Sequence, residues 1–345
     1  MSNPFSISFG IEPTMLISRV TATDAVLETF LAERPMNQIY MFTGVRGSGK
    51  TVFLTETANR FRERDDWIVI DLNPERDLLQ ALAAKLCSRK DLYTLFESAR
   101  LNLSLFGLGI EIDGEPPISD IEAAVSRMLQ HIKKAGKRVL VTIDEVTNNE
   151  HMKIFAASFQ MFLREGMPLF LLMTGLYENI DNLQNENSLT FLFRAPKIPM
   201  EPLNIGAMAA QYEKSLSVDR ETAVKMARLT KGYPFAFQVL GYLCYKKHCG
   251  YQAVLPDFEL YINEYVYRKL WSELSQKDKM VMYGIAQCPS GRIREIREQL
   301  NLTTNEFNPY RQRLIRKGLI SGEERGIVKM TLPLFDRYVL ENYIE

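Results

Sequence analysis

Gly44-Val45-Arg46-Gly47-Ser48-Gly49-Lys50-Thr51 fits G-x-x-x-x-G-K-[ST], the pattern of a loop that wraps a phosphate. An apolar, β-favouring run, Ile39-Tyr40-Met41-Phe42, leads into it, and an amphipathic helical pattern from Thr51 to Phe61 leads out. Strand, glycine-rich loop and helix in that order are the context the pattern needs. The glycines let consecutive backbone N–H groups turn inward without Cβ clashes. The helix behind them adds its positive N-terminal end. On this reading Gly44, Val45, Arg46, Gly47, Ser48 and Gly49 form the backbone cradle. Lys50 carries an ammonium to the β- and γ-phosphates, and the Thr51 hydroxyl is a ligand for Mg²⁺. ATP is the expected nucleotide, since no Asn/Thr-Lys-x-Asp guanine-reading element is obvious.

A second landmark follows one strand later. Trp67-Ile68-Val69-Ile70-Asp71-Leu72 is almost wholly apolar, as is Lys137-Arg138-Val139-Leu140-Val141-Thr142-Ile143, which ends in Asp144-Glu145. Fully apolar strands predict a parallel sheet covered on both faces. Ligands sit at the carboxyl ends of such strands, so both acids should face the phosphates. Asp144 is expected to hold Mg²⁺ through water, and Glu145 to polarise the attacking water as general base or orienting group. The next strand, Leu169 to Thr174, ends at Gly175 and places Thr174 to sense the γ-phosphate or the water. Arg194, before a short strand at Pro196 to Pro199, is placed to reach the γ-phosphate of its own or a neighbouring subunit.

The 345 residues are enough for two or three domains, with 42 basic and 42 acidic side chains. Balanced charge does not demand a nucleic-acid or membrane partner, so any basic surface must be local. Cys87, Cys244, Cys249 and Cys288 show no C-x-x-C pairing. The Cys244/His248/Cys249 cluster, lacking a second ligand pair, reads as helical packing rather than a metal site. No apolar run is long enough to cross a bilayer, and a cytoplasmic protein is expected.

Residues 1–35 read as a leader with an alternating Phe5/Ile7/Phe9 stretch, a connector from Pro13 to Arg19, and a short helix from Asp24 to Leu31. Ile17, Ser18 and Arg19 are the candidates to pack against the adenine. Within the core, 36–202, Asp77 to Ser88, Ile118 to Ala135 and His151 to Glu165 read as helices. Leu101 to Asp113 alternates around Gly107 and predicts an inserted β-hairpin, packed on the body or offered to a partner. From 203 to 274 the pattern turns helical: Ile205–Ser217, Arg220–Thr230, Phe235–Lys247 and Phe258–Leu274, with Gly232 ending one helix and Pro234 opening the next. Residues 275–345 read as a winged helix-turn-helix: helices Gln276–Ala286, Ile293–Leu300 and Asn305–Lys317, then a ribbon from Leu319 to Leu332. Gln276 to Met330 holds eleven Lys/Arg against six Asp/Glu. Arg311, Arg313, Arg316 and Lys317 are the DNA-contact candidates, while Pro309 counts against a straight recognition helix.

With these pieces in order, the chain resembles the prokaryotic P-loop ATPases related to archaeal origin-recognition proteins and to STAND signalling ATPases, within the AAA+/ASCE division. The loop, the acid pair, the strand ending in Thr174, the Arg194 segment, Gly232-Tyr233-Pro234 and the C-terminal module carry the resemblance over essentially the whole chain. It implies an α/β P-loop core with strand order 5-1-4-3-2, a helical lid and a winged helix. It also implies that Thr174 is the sensor-one position, that Arg194 is arginine-finger-like, and that Pro234 touches nucleotide from the lid. Origin-recognition ATPases usually carry a lid arginine reaching the phosphates, and none is identifiable beside Gly232-Tyr233-Pro234. The expectation is a slow ATP-driven switch that moves a winged helix on double-stranded DNA. The alternative is a STAND-like scaffold whose winged helix contacts its own ATPase core or a protein partner, with ATP licensing oligomerisation.

Overall fold

The structure is a computed structural model that describes residues 3–7, 15–108, 110–111 and 115–344. Two compact units share the chain. One comprises Val20–Thr43 and Lys50–Pro199; the other comprises Met1–Arg19, Gly44–Gly49 and Met200–Glu345.

The first unit is an α/β sandwich. Its elements run α1 (Val20–Leu31), β1 (Ile39–Thr43), α2 (Lys50–Arg62), β2 (Trp67–Leu72), α3 (Leu78–Cys87), α4 (Lys90–Ser98), α5 (Ile121–Lys134), β3 (Arg138–Ile143), α6 (Glu150–Arg164), β4 (Leu169–Gly175), α7 (Tyr177–Gln184) and β5 (Lys197–Pro199). The strands are parallel in the order β2-β3-β4-β1-β5, the 5-1-4-3-2 order that the resemblance implied. Register places Ile68 beside Val139, Val141 beside Leu171, and Phe42 beside both Thr174 and Ile198. Every residue of β1 and β4 is buried, which explains why these strands read as unbroken apolar runs. Helices on both faces complete the core, with Phe53, Phe61, Met128, Phe155 and Phe159 among the fully buried side chains.

Side-chain caps fix several helix starts. Asp77 accepts from Gln80 N, Asp120 from Ala123 N and Asn149 from Met152 N, each worth about 1 kcal/mol. The Asp120 cap begins α5 three residues later than the periodicity suggested, and the Ile118 N–H instead donates to Asn102 O at 3.0 Å.

The expected hairpin over Leu101 to Asp113 is not what forms. A 3₁₀ turn spans Ser104–Phe106, closed by Gly107 at φ 66, and no strand occurs here among the described residues. Leu101, Leu103 and Ile110 are buried in the core, whereas Leu105 is exposed. Asn102 holds the turn: its carbonyl oxygen accepts from Ser104 N and Oγ, and its amide donates to Glu115 O at 2.7 Å. The alternation therefore marks buried anchors of an irregular segment. Gly109 and Ile112–Gly114, like Ser8–Thr14 with Phe9, lie outside the described residues.

The second unit is mainly helical and takes in the stretches expected as lid and C-terminal module. It runs α8 (Ile205–Leu216), α9 (Arg220–Leu229), α10 (Pro234–Lys247), α11 (Tyr251–Ile262), a π turn at Asn263–Tyr267, α12 (Arg268–Ser272), α13 (Gln276–Ala286), α14 (Ile293–Gln299), α15 (Thr304–Arg316), β6 (Ile320–Ser321), β7 (Lys329–Met330) and α16 (Phe335–Asn342). The helix expected from Phe258 begins at Tyr251, because α11 continues through Pro256 at the loss of one backbone hydrogen bond. Pro309 is carried inside α15 in the same way, behind a Thr303/Glu306 capping box. β6 and β7 pair antiparallel, so three helices are followed by a short ribbon, the arrangement expected of a winged helix. No described helix is long and apolar enough to cross a membrane.

Candidate nucleotide site

The chain passes from one unit to the other at the peptide between Gly49 and Lys50, and the candidate residues are taken unit by unit. In the second unit, Gly47 and Gly49 adopt φ +76 and +84, which L side chains avoid, and Ser48 N donates to Val45 O at 3.2 Å. The loop is tight against the start of α10. Tyr233 Oη donates to Arg46 O at 2.5 Å, and Phe235 N donates to Gly47 O at 3.3 Å. A Cβ on Gly47 would fall 2.2 Å from Tyr233 Oη, and one on Gly49 would lie 3.7 Å from Pro234 Cγ. Gly47 is therefore required by space as well as by torsion, and Gly49 by torsion alone. Burial drives the Tyr233 phenol far above its ordinary pKa, so it stays a neutral donor.

Arg19 reaches this loop. Its guanidinium donates to Ser48 O at 3.1 Å and to Glu201 O at 2.8 Å. Ile17 packs half-buried against the apolar cluster of the helical unit, and Ser18 is exposed. The Ser48 hydroxyl and Arg46 Nε are buried without a hydrogen-bond partner among the described residues. An orphaned buried donor in a loop of left-handed glycines fits an anion such as a phosphate.

The first unit holds the acids. Asp144 follows the last residue of β3, and its two carboxylate oxygens accept from the Thr51 hydroxyl at 2.7 Å and from the Thr174 hydroxyl. Glu145 N donates to Thr174 Oγ1 at 3.0 Å, and Val146 N donates to Thr174 O at 2.8 Å. Thr174, fully buried at the end of β4, thus organises the acid pair. Glu145 itself takes φ 54, a left-handed conformation that costs a non-glycine residue about 1–2 kcal/mol. That turn leaves its side chain exposed beyond the sheet end. A hydroxyl and a carboxylate converging at hydrogen-bond distance suit a hard divalent cation bound through oxygen, and Thr51 and Asp144 are the residues that would hold it. Lys50 is buried. Arg194 is exposed at the end of a 3₁₀ segment, with no side-chain hydrogen bond or ion pair among the described residues.

The four C-terminal cations differ in their surroundings. Arg313 donates through Nε (2.9 Å) and Nη2 (2.7 Å) to Asp278, which is 2% exposed, and its guanidinium lies 5.1 Å from the Tyr310 ring centroid. Arg311 lies against the ribbon, where a Cβ on Gly322 would come 2.7 Å from its Nη2. Arg316 is exposed and Lys317 half-buried.

Two contacts were not foreseen. One is the Tyr233 hydroxyl on the loop, of which the only sequence signal was the Gly232-Tyr233-Pro234 triplet. The other joins the loop to the C-terminal module: a Cβ on Gly318 would lie 3.0 Å from Val45 Cγ1. Lys231 Nζ adds donations to Met330 O at 3.1 Å and Leu332 O at 3.2 Å.

Residues 18–231 match the family described as an ATPase domain predominantly from Archaea, and residues 264–339 match a domain of unknown function. Among solved structures, the Walker-type ATPase PABY2304 of Pyrococcus abyssi is similar at a TM-score of 0.63 and 16% identity, over 94% of this chain and 96% of that one. The ORC2 protein of Aeropyrum pernix, in ADPNP–ADP complexes, is similar at 0.59 and 13%, over 97% and 95%. At these identities the likeness is one of fold. No curated protein matches the chain.

Proposed function

The chain belongs to the ATPase family found predominantly in Archaea, and from that premise we propose that it is a slowly hydrolysing, Mg²⁺-dependent ATP switch controlling its C-terminal helix-and-ribbon module. The observation that carries this reading is the company the phosphate loop keeps. Tyr233 and Phe235, at the start of α10, bond the carbonyls of Arg46 and Gly47, and Val45 meets Gly318. A loop that tightens on a triphosphate and relaxes on a diphosphate presents different contacts to both neighbours, which is what a two-state switch requires.

In this scheme the backbone of Gly44–Gly49 and the Lys50 ammonium bind the phosphates. Thr51, and Asp144 through water, would hold Mg²⁺, which would supply neutralisation of phosphate charge. Glu145 accepts a proton from, or orients, the attacking water, with Thr174 fixing the backbone that carries it. Arg194 approaches the γ-phosphate in cis or from a neighbouring copy. The slow turnover proposed rests on the lid, where no arginine placed to reach the phosphates is identifiable beside Gly232-Tyr233-Pro234.

The proposed output is double-stranded DNA, contacted by α15 through Arg316 with Arg311 and Lys317. Anisotropy of a random-sequence duplex, titrated with ATP–Mg²⁺, with ADP and without nucleotide at two salt concentrations, tests it. Affinity that depends on nucleotide and falls steeply with salt is expected, because phosphate contacts release counterions. No binding in any state, even at low salt, refutes the DNA output. The Val45–Gly318 approach and the Arg313–Asp278 bond favour a second reading, in which the module acts by contacting its own phosphate loop and releasing a protein-binding surface. Nucleotide-dependent self-association without DNA affinity would select it.

A further inference from the structure

Helix α10 begins at the phosphate loop and runs 14 residues, about 21 Å, to a different kind of site. Its C-terminal end borders a cavity of about 370 Å³ lined by Cys244, Cys249, His248, Met226, Ser215 and Tyr251 among others. α10 ends at Lys247, and His248 takes φ 50, ψ 41. A left-handed residue just past a helix turns the chain back towards its last turn. Cys249, the residue after this turn, and Cys244, in the last turn of α10, both line the cavity. Both are free thiols, Cys244 buried and Cys249 half-buried. Burial, with a smaller contribution from the neighbouring Cys249, pushes the Cys244 thiol up to about 12. Among the described residues no group of three His, Cys, Asp or Glu side chains is arranged to hold a metal ion, so the cluster does not read as a metal centre.

We propose that Cys244 and Cys249 form a modification site for small peroxides, closing to a disulfide across the left-handed turn at His248. Cys249, the more accessible thiol, reacts first. Its sulfur attacks one peroxide oxygen, the O–O bond breaks, and the leaving oxygen departs as water carrying the thiol proton, which gives a sulfenic acid. The Cys244 sulfur then attacks the Cys249 sulfur, the S–O bond breaks, and hydroxide leaves as a second water with the Cys244 proton. Two thiols lose two electrons and hydrogen peroxide is reduced to two waters. Neither cysteine suffices alone: Cys244 is too buried to meet the oxidant first, and Cys249 needs a neighbour to stop at the disulfide.

The test uses the full chain, reduced, exposed to hydrogen peroxide, then denatured, blocked with iodoacetamide and digested with trypsin without reductant. Lys246 and Lys247 lie between the two thiols, so the disulfide joins two separate peptides, 232–246 and 248–268. The expected product is that joined pair, lighter by two hydrogens than its reduced parts and lost on reduction. In Cys244→Ser, dimedone is expected to label Cys249; in Cys249→Ser, Cys244 should remain unlabelled. Recovery of both cysteines as blocked free thiols, or first trapping of a sulfenic acid at Cys244, would overturn the proposal. Cys249→Ser, at the half-exposed position, serves if Cys244→Ser does not fold.

Discussion

Asp144, Glu145 and Thr174 behave as one group. Thr174 donates to the first acid and accepts from the backbone of the second, and that backbone is held left-handed. Glu145→Gln keeps this geometry and removes the proposed base. ATP hydrolysis should fall roughly 10²–10³-fold while nucleotide affinity, by equilibrium titration, stays within about twofold. Equal loss of binding and turnover would contradict that role. Tyr233→Phe removes one buried donor from the phosphate loop. It should lower stability by about 1 kcal/mol in urea melts and weaken nucleotide binding several-fold. The position of the acids was legible because Asp144 and Glu145 follow an apolar strand, at the carboxyl end where α/β sheets take ligands. Tyr233 was not legible, because its partner lies 187 positions away and only packing brings them together.

Elements were legible where the sequence carried a cap. Asp77, Asp120, Asn149, Asn204, Asp219, Ser275 and Thr303 each accept from the first turn of a helix that the periodicity had located. The helices that escaped, α4, α7 and α16, begin after Arg89, Leu176 and Leu334, none of which makes a side-chain cap. Arg313 shows how an element can mislead. It sits among basic residues of α15, yet it neutralises buried Asp278 beneath them. Arg313→Ala should cost roughly 2–3 kcal/mol by denaturant unfolding, whereas Arg316→Ala should cost less than about 0.5. A tight DNA complex lost only in Arg316→Ala would then report on contact rather than folding. At the end of α3, burial lifts the Cys87 thiol from 9.0 to about 11. A raised folded-state pKa means the protonated thiol stabilises the native state fully below pH 9, and this contribution is lost as pH rises through 11. The loss is on the order of 2 kcal/mol. Urea melts at pH 8 and pH 10.5 should show it in the parent chain and a smaller drop in Cys87→Ala.

At the scale of the molecule, the phosphate loop is the organising feature. It follows β1 in sequence and leads into α2, yet its six residues pack with the helical unit, where Val45 joins an apolar cluster shared by the leader, the helices and the C-terminal module. The strand order of the sheet was expected from the resemblance and is found. That the loop's own valine is packed against the module it is proposed to control could not be read from the sequence, since one valine in a glycine-rich loop carries no such signal. The central claim is that this loop transmits nucleotide state to its neighbours. Hydrogen exchange of the amides around Gly232–Phe237 and Gly318–Leu332, with ATP–Mg²⁺, with ADP and without nucleotide, tests it most directly, with Lys50→Ala as the non-binding control. Exchange at both segments should differ between ATP and ADP by several-fold in the parent chain, and not at all in Lys50→Ala. Identical exchange in all three states of a chain shown to bind both nucleotides would contradict the claim.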